Sequence, residues 1–307
     1  MIFRRTPAPE PASAATPGEN RQGAAWLLAD MLLVTAMLGL VKHEAATFPP
    51  IQLVFIRSLV GLIAVAPIAW RYRSELLHGR RLGGHLFRVA CNTLALTCNF
   101  FAVSALPLAL VTAIGFTRPL ALLALAALML GERIGPIRWA AAGIGFVGIL
   151  VMSPPEGVSS SLGFAAALGS VLFGSLAIVQ TRRLRSENTH VLMLFYTLGL
   201  SLLTSIPAAI SWTPVPPGAW IPLLAIGVLA QLGQYCFLRA HQTADTRYLA
   251  PLGYLSIVLA TAVGFAFFGE TPRLATFAGV AIILLALYAG NRLERLVSAP
   301  DSGRRGT

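Results

Sequence analysis

Apolar runs of about twenty residues recur along this chain, and no other feature limits its fold as severely. A bilayer's hydrocarbon core is roughly 30 Å thick, which a helix crosses in about 20 residues. The runs place ten spans at 23–41, 50–70, 83–105, 107–130, 135–152, 160–181, 190–211, 218–239, 246–268 and 273–291. The chain is 56% apolar and only 11% charged, too little polar surface to coat a soluble globule of its size. The spans leave no room for a soluble domain. The fold class that follows is an all-α integral membrane protein of about ten transmembrane helices.

The net charge of +11 is a matter of topology, not of nucleic-acid binding. With the N-terminus in the cytoplasm and ten alternating spans, Lys42 and Arg273 fall outside, and Arg57, Arg88 and Arg118 fall within spans. The other eighteen of the 23 basic residues face inward. That bias is the one expected of a plasma (inner) membrane protein with both termini cytoplasmic. A missed span would invert it downstream, so the bias also supports an even count. Residues 1–21, with several Pro and Ala, and 293–307 are expected to be cytoplasmic tails. Cys91, Cys98 and Cys236 fall within spans, and Cys91 and Cys98 stand two turns apart on one helix, too far for a disulfide.

An internal repeat organises the chain. Residues 111–133 match 249–271, with Gly115 on Gly253, Phe116 on Tyr254, and Gly131-Glu132 on Gly269-Glu270. The units are 22–153 and 160–292, five spans each. An odd number of spans per unit makes the second copy upside down, so the fold is two inverted five-helix repeats. Such repeats commonly build secondary transporters with a site near the midplane between them.

Several short matches carry a family resemblance. They are Pro49-Pro50 through Phe55-Ile56-Arg57, Ala105-Leu106-Pro107-Leu108, Pro119, Gly131-Glu132-Arg133, the Gly143-to-Gly148 run, Gly163 and Gly269-Glu270. With the five-plus-five layout, the sequence resembles the drug/metabolite transporter superfamily, in its ten-helix EamA-like branch, over residues 22–292. The resemblance implies alternating access of a small organic solute through a central cavity, with export of amino acids or related amines as the leading expectation. Import of a vitamin or nucleotide-like metabolite is the alternative. The implied partners are the solute and the lipid bilayer, with no nucleic acid, and a monomer would suffice.

Ionisable residues at bilayer depth cost about 2.5–3.5 kcal/mol each even on the lenient insertion scale, which makes them site candidates. Asp30 lies mid-span in the first helix and Arg118 mid-span in the fourth. Asp30 either contacts solute or pairs internally with Arg118. Arg57, two turns from the outer end of the second span, either snorkels outward or holds loop carbonyls, or gates. Pro119 cannot donate a backbone hydrogen bond, which frees the carbonyl of Gly115, and Pro251 stands near Gly253 in the mirrored copy. Either proline could instead be a packing kink. Arg88, Asn92 and Asn99 form a polar stripe on the third span, open to solute binding or interhelical bonding. Gln231, Gln234, Tyr235 and Tyr254 would suit an organic solute with ring or amide character, or could pack. Ala166, Ser170 and Gly174 recur every four residues and suggest close helix contact. Lys42-His43-Glu44 reads as a solvated loop cluster, with gating as the minor alternative.

Enzymatic readings find little support. His43-Glu44 lacks the second histidine of a zinc protease motif. His241 and Asp245 have a spacing known in some acyltransferases but stand where the repeat predicts a connector. No cofactor and no metal is expected. Channels carry filter loops or charge rings, which this pattern lacks.

Overall fold

The computed structural model describes residues 16–71, 82–130, 135–151, 158–184, 189–244, 246–271 and 273–298, and among them the regular structure is helical. The first repeat comprises α1 (Pro17–Glu44), α2 (Pro50–Arg71), α3 (Leu82–Ala105), α4 (Leu108–Gly115), α5 (Arg118–Leu130) and α6 (Pro136–Val151). The second comprises α7 (Val158–Arg183), α8 (Thr189–Ile210), α9 (Trp220–Thr243), α10 (Thr246–Gly253), α11 (Leu255–Phe268) and α12 (Leu274–Ser298). Ten predicted spans are therefore present, but the fourth and the ninth are each two helices in series.

Two boundaries differ from expectation. Residues 17–21 are the first turn of α1 and not part of a tail. Thr16 caps the helix by accepting the Glu19 N–H, Glu19 reaches back to the Thr16 N–H at 2.7 Å, and Pro17 follows the cap. This capping box satisfies donors that a helix start leaves orphaned. At the other end α12 continues to Ser298, so residues 293–298 are helical.

The breaks begin at equivalent residues of the repeat. α4 ends at Gly115 and α10 at Gly253, the matched glycines. The interruption falls at Phe116-Thr117 in one copy and at Tyr254 in the other. In the first copy Pro119 removes the N–H that would have bonded the Gly115 carbonyl. In the second, Ser256 Oγ donates to the Gly253 carbonyl at 2.8 Å. Pro251 lies within α10, ahead of the break.

Packing between the halves is reciprocal. α3 lies along α7 while α1 lies along α9; α5 meets α7 while α1 meets α11; α2 meets α8, and α6 meets α12. Each contact has its counterpart with the halves exchanged, as a pseudo-twofold axis requires. Glycines allow the tightest crossings. A Cβ on Gly163 of α7 would stand 2.7 Å from the Ala105 Cβ at the end of α3, and one on Gly23 of α1 would collide with the Ala244 Cβ beyond α9.

Large apolar side chains also point outward: Leu274 is 87% exposed and Phe267 79%. Exposure of this kind suits lipid as the surrounding solvent. The main buried cluster gathers Val41, Phe48, Leu53, Val103, Leu106, Leu108 and Ile226 toward the end of the bundle where α1 and α3 finish and α2, α4 and α9 begin.

Candidate functional site

Between the repeats lies a cavity of about 450 Å³, within the range typical of small-molecule sites. α1 contributes Asp30, Thr35 and Met37, and α3 contributes Leu96, Asn99 and Phe100. The first broken span supplies Val111, Thr112, Gly115, Phe116 and Arg118. Phe237 comes from α9, and Gly253 and Ser256 flank the second break. The walls are mainly apolar, with one carboxylate and one guanidinium.

Arg118 owes its place to the break. As the first residue of α5 it leaves the helix axis at the interruption, and its exposed surface faces the cavity. Gly174 of α7 stands beside it: a Cβ there would lie at ordinary van der Waals distance, 3.6 to 3.7 Å, from the guanidinium atoms. Asp30 is half-buried on α1 beside Gly233 of α9, whose Cβ would approach its Oδ1 to 3.3 Å.

Asp30 and Arg118 do not pair with each other. Neither side chain has an ion-pair or hydrogen-bond partner among the described residues. The internal-pair alternative is thereby corrected: two opposite charges share one cavity, and neither is tied into an ion pair or hydrogen bond among the described residues. A charge held out of bulk water without a partner is costly, and a solute bearing the complementary charges would remove that cost.

At the break, Phe116 and Tyr254 meet with ring centroids 5.2 Å apart and planes inclined by 54°. Residues equated by the repeat touch each other, so the pseudo-twofold axis passes between them. Phe116 lines the cavity, and Tyr254 stands between the lining residues Gly253 and Ser256.

Of the sequence-selected residues, the cavity collects Asp30, Asn99 and Arg118, with Tyr254 behind Phe116. It does not collect the others. Asn92 is half-buried on α3 away from the lining. Gln231 lies against α2, where a Cβ on Gly61 would come within 2.5 Å of its Nε2. Gln234 is exposed on α9, and Tyr235 packs edge-on to Trp26 at 5.9 Å. Arg57 Nε is buried on α2 without a hydrogen-bond partner. Arg88 is a structural staple, donating from Nε to Thr181 Oγ1 at 2.8 Å and from Nη1 to the Leu192 carbonyl at 3.0 Å. Pro119 follows Arg118 at the start of α5. Gly131-Glu132-Arg133 and Asp245 lie outside the described residues.

The solvated-cluster reading of Lys42-His43-Glu44 also needs correction. These residues form the last turn of α1; Glu44 is buried, and Lys42 makes an ion pair with Glu270 of the opposite repeat. Opposite charges at helix ends on the same predicted side of the membrane were the signal that could have found the pair.

A family model described as the EamA-like transporter family matches residues 21–153 and again 161–290, one copy on each repeat. The chain belongs to the EamA-like transporter family. Among its relatives is the pseudopaline exporter CntI of Pseudomonas aeruginosa (strain UCBPP-PA14), 30% identical over 264 residues, covering 85% of this chain and 93% of the exporter. A riboflavin transporter of Rhizobium johnstonii is 31% identical over 206 residues, 66% of this chain and 68% of that protein. An S-adenosylmethionine uptake transporter of Rickettsia bellii is 27% identical over 267 residues, 86% of this chain and 91% of the transporter. A crystal structure with 20% identity superposes with a TM-score of 0.61 over 91% of this chain and 99% of its own, and shares the fold. Like its EamA relatives, the chain is a multi-pass membrane transporter of small solutes and not an enzyme.

Proposed function

We propose that this EamA-family chain exports a small zwitterionic organic metabolite, an amino acid or a related amine, across the inner membrane by alternating access. The observation that carries this reading is that Asp30 and Arg118, which make no ion pair or hydrogen bond among the described residues, lie in one cavity with largely apolar walls. A carboxylate on the solute would meet the planar fork of Arg118 in two-point contact. An ammonium group would meet Asp30, while an aliphatic or aromatic body packs on Phe116 and Phe237. Asn99, Thr112 and Ser256 supply neutral hydrogen-bonding groups for orientation.

Broken helices at matched positions in inverted repeats support the alternating-access part of the reading. The inward excess of arginine supports an inner-membrane placement with both termini cytoplasmic. Relatives named for riboflavin and S-adenosylmethionine keep import of a larger metabolite as the second reading.

The deciding experiment is counterflow in liposomes reconstituted with the purified chain and loaded with unlabelled solute. Zwitterionic amino acids and their aromatic or branched derivatives should drive saturable uptake of labelled solute, and their des-amino or esterified analogues should not. Uptake only of neutral ring compounds would overturn the zwitterion reading in favour of the second. Flux without saturation or exchange would overturn the carrier reading itself.

A further inference from the structure

Where α1 and α3 end and α4 begins, an ion pair joins the two repeats. Lys42 Nζ lies 2.7 Å from Glu270 Oε1, and the side chains are only 15% and 14% exposed. Glu270 uses its other oxygen, Oε2, to accept the Leu108 N–H at 2.9 Å. That N–H opens α4 and has no helical carbonyl to bond, and the carboxylate also meets the positive end of the helix dipole. Lys42 donates to the carbonyls of Leu106 at 2.6 Å and Val103 at 3.3 Å, which the end of α3 leaves without helical partners. The Phe268 ring stands 5.7 Å from the same ammonium.

The local chain is shaped to present Glu270. Gly269 adopts φ of 62°, a left-handed conformation that turns the chain back at the end of α11. The Gly269 N–H bonds the Phe265 carbonyl at 3.2 Å, as in an αL cap, and the Glu270 N–H bonds the Gly264 carbonyl at 3.0 Å. Its carboxylate lies over Gly264, where a Cβ would collide with it.

We propose that Lys42 and Glu270 are a gate, a separable latch that seals the solute cavity at this end of the bundle and must part for solute to pass there. The proposal rests on the alternating-access reading and names a device that serves the same cavity. The latch joins opposite repeats, with α1, α3 and α4 on one side and α11 on the other. These are the bodies that rocking would move apart. It is ionic, so the water each charge loses on closing is regained when the mouth floods. Desolvation cost and Coulomb gain then largely offset each other, and solute binding can tip the balance. It is also connected to the cavity at both its halves. α4 runs from Leu108, held by Glu270, to Val111, Thr112 and Gly115 in the cavity wall; α11 runs from Ser256 in that wall to Phe268 beside Lys42.

The test uses the full chain in membrane vesicles, with Thr112→Cys as a cavity reporter and Cys91, Cys98 and Cys236 each replaced by Ala. A membrane-impermeant maleimide is applied separately to each side. With the latch intact, labelling from the Lys42 side should be slow. Glu270→Gln keeps an acceptor for the Leu108 N–H but loses the ion pair, and should raise labelling from that side by about tenfold. Lys42→Met, which leaves Glu270 capping α4, should do the same and provides a second route if the first variant is poorly made. A merely structural tie would instead lower the melting temperature with no side-specific change in labelling, and that result overturns the gate while leaving the carrier reading intact. Equal labelling from both sides in the parent chain would also overturn the gate. Labelling from neither side in any variant would overturn both the gate and the cavity reading on which it rests.

Discussion

Phe116 and Tyr254 hold the same place in the two repeats and stand ring against ring, 5.2 Å apart, where both broken spans are interrupted. Contact between symmetry-related residues puts the axis of the inverted repeat at the cavity wall. A movement that exchanges the roles of the halves would therefore pivot there. Aromatic pairs contribute about 0.5–1.5 kcal/mol beyond their buried area. A double-mutant cycle of Phe116→Leu and Tyr254→Leu, read by melting in detergent, should return a coupling of about that size. A coupling near zero would mean the rings do not hold the breaks together.

The two arginines at bilayer depth, Arg88 and Arg118, should behave in opposite ways. Arg88 is tied to Thr181 and to the Leu192 carbonyl, and hydrogen bonds from charged groups contribute about 1.5–3 kcal/mol each. Arg88→Met should lower the melting temperature and protein yield, yet leave solute affinity unchanged in the fraction that folds. Weakened affinity at unchanged stability would reverse this assignment.

Arg118 has no described partner to lose, so Arg118→Gln should leave the melting temperature unchanged or raise it, because an uncompensated charge is removed. Transport should be abolished in Arg118→Ala. In Arg118→Lys it should fall by about tenfold or more, since charge is kept but the planar fork is lost. Liposome flux and melting on the same preparations check both halves of the statement. Normal flux by the Ala variant would remove Arg118 from the site.

The separation of Asp30 from Arg118 has its own consequence. Without a direct pair, the stability changes of Asp30→Asn and Arg118→Gln should add to within about 0.3–0.5 kcal/mol in the double variant. In transport the two should diverge: Asp30→Asn should weaken competition by amine-bearing solutes and spare competition by their des-amino analogues. Strong non-additivity in melting would show that the two charges meet in another conformation.

Gly163 and Gly23 make mirrored crossings, one of α7 on the end of α3 and one of α1 beyond α9. Overpacking a tight contact costs about 1–3 kcal/mol. Gly163→Val and Gly23→Val should each destabilise the bundle by about that amount, whereas Gly143→Val, where no neighbour lies within 4 Å of the added Cβ, should cost less. Equal losses at all three would point to helix propensity instead of the crossings.

Much of this architecture was legible in the sequence because its causes are local. Span number follows from the length of apolar runs, and the inversion follows from an odd count per repeat. The matched pairs Gly115 with Gly253 and Phe116 with Tyr254 coincide with both breaks, and Pro119 acts on the backbone where it stands, whereas Pro251 lies inside α10 and does not mark the second break. The deep charges Asp30 and Arg118 could thus be placed on the right spans, although the fourth and ninth spans were read as continuous. Which polar groups share the cavity could not be read the same way. A helix in lipid is apolar on its outward and inward faces alike, so periodicity sets its rotation only weakly. Gln231, Gln234 and Tyr235 were as plausible as Asn99 until packing turned α9 toward α1 and α2. The Lys42–Glu270 pair was hidden for a different reason. Its residues stand near opposite ends of the chain, and only the interleaving of the repeats brings the last turn of α1 against the end of α11. Sequence determined the parts and their pairing by repeat; the tertiary structure decided which faces meet, because that depends on contacts between distant segments and not on any one helix.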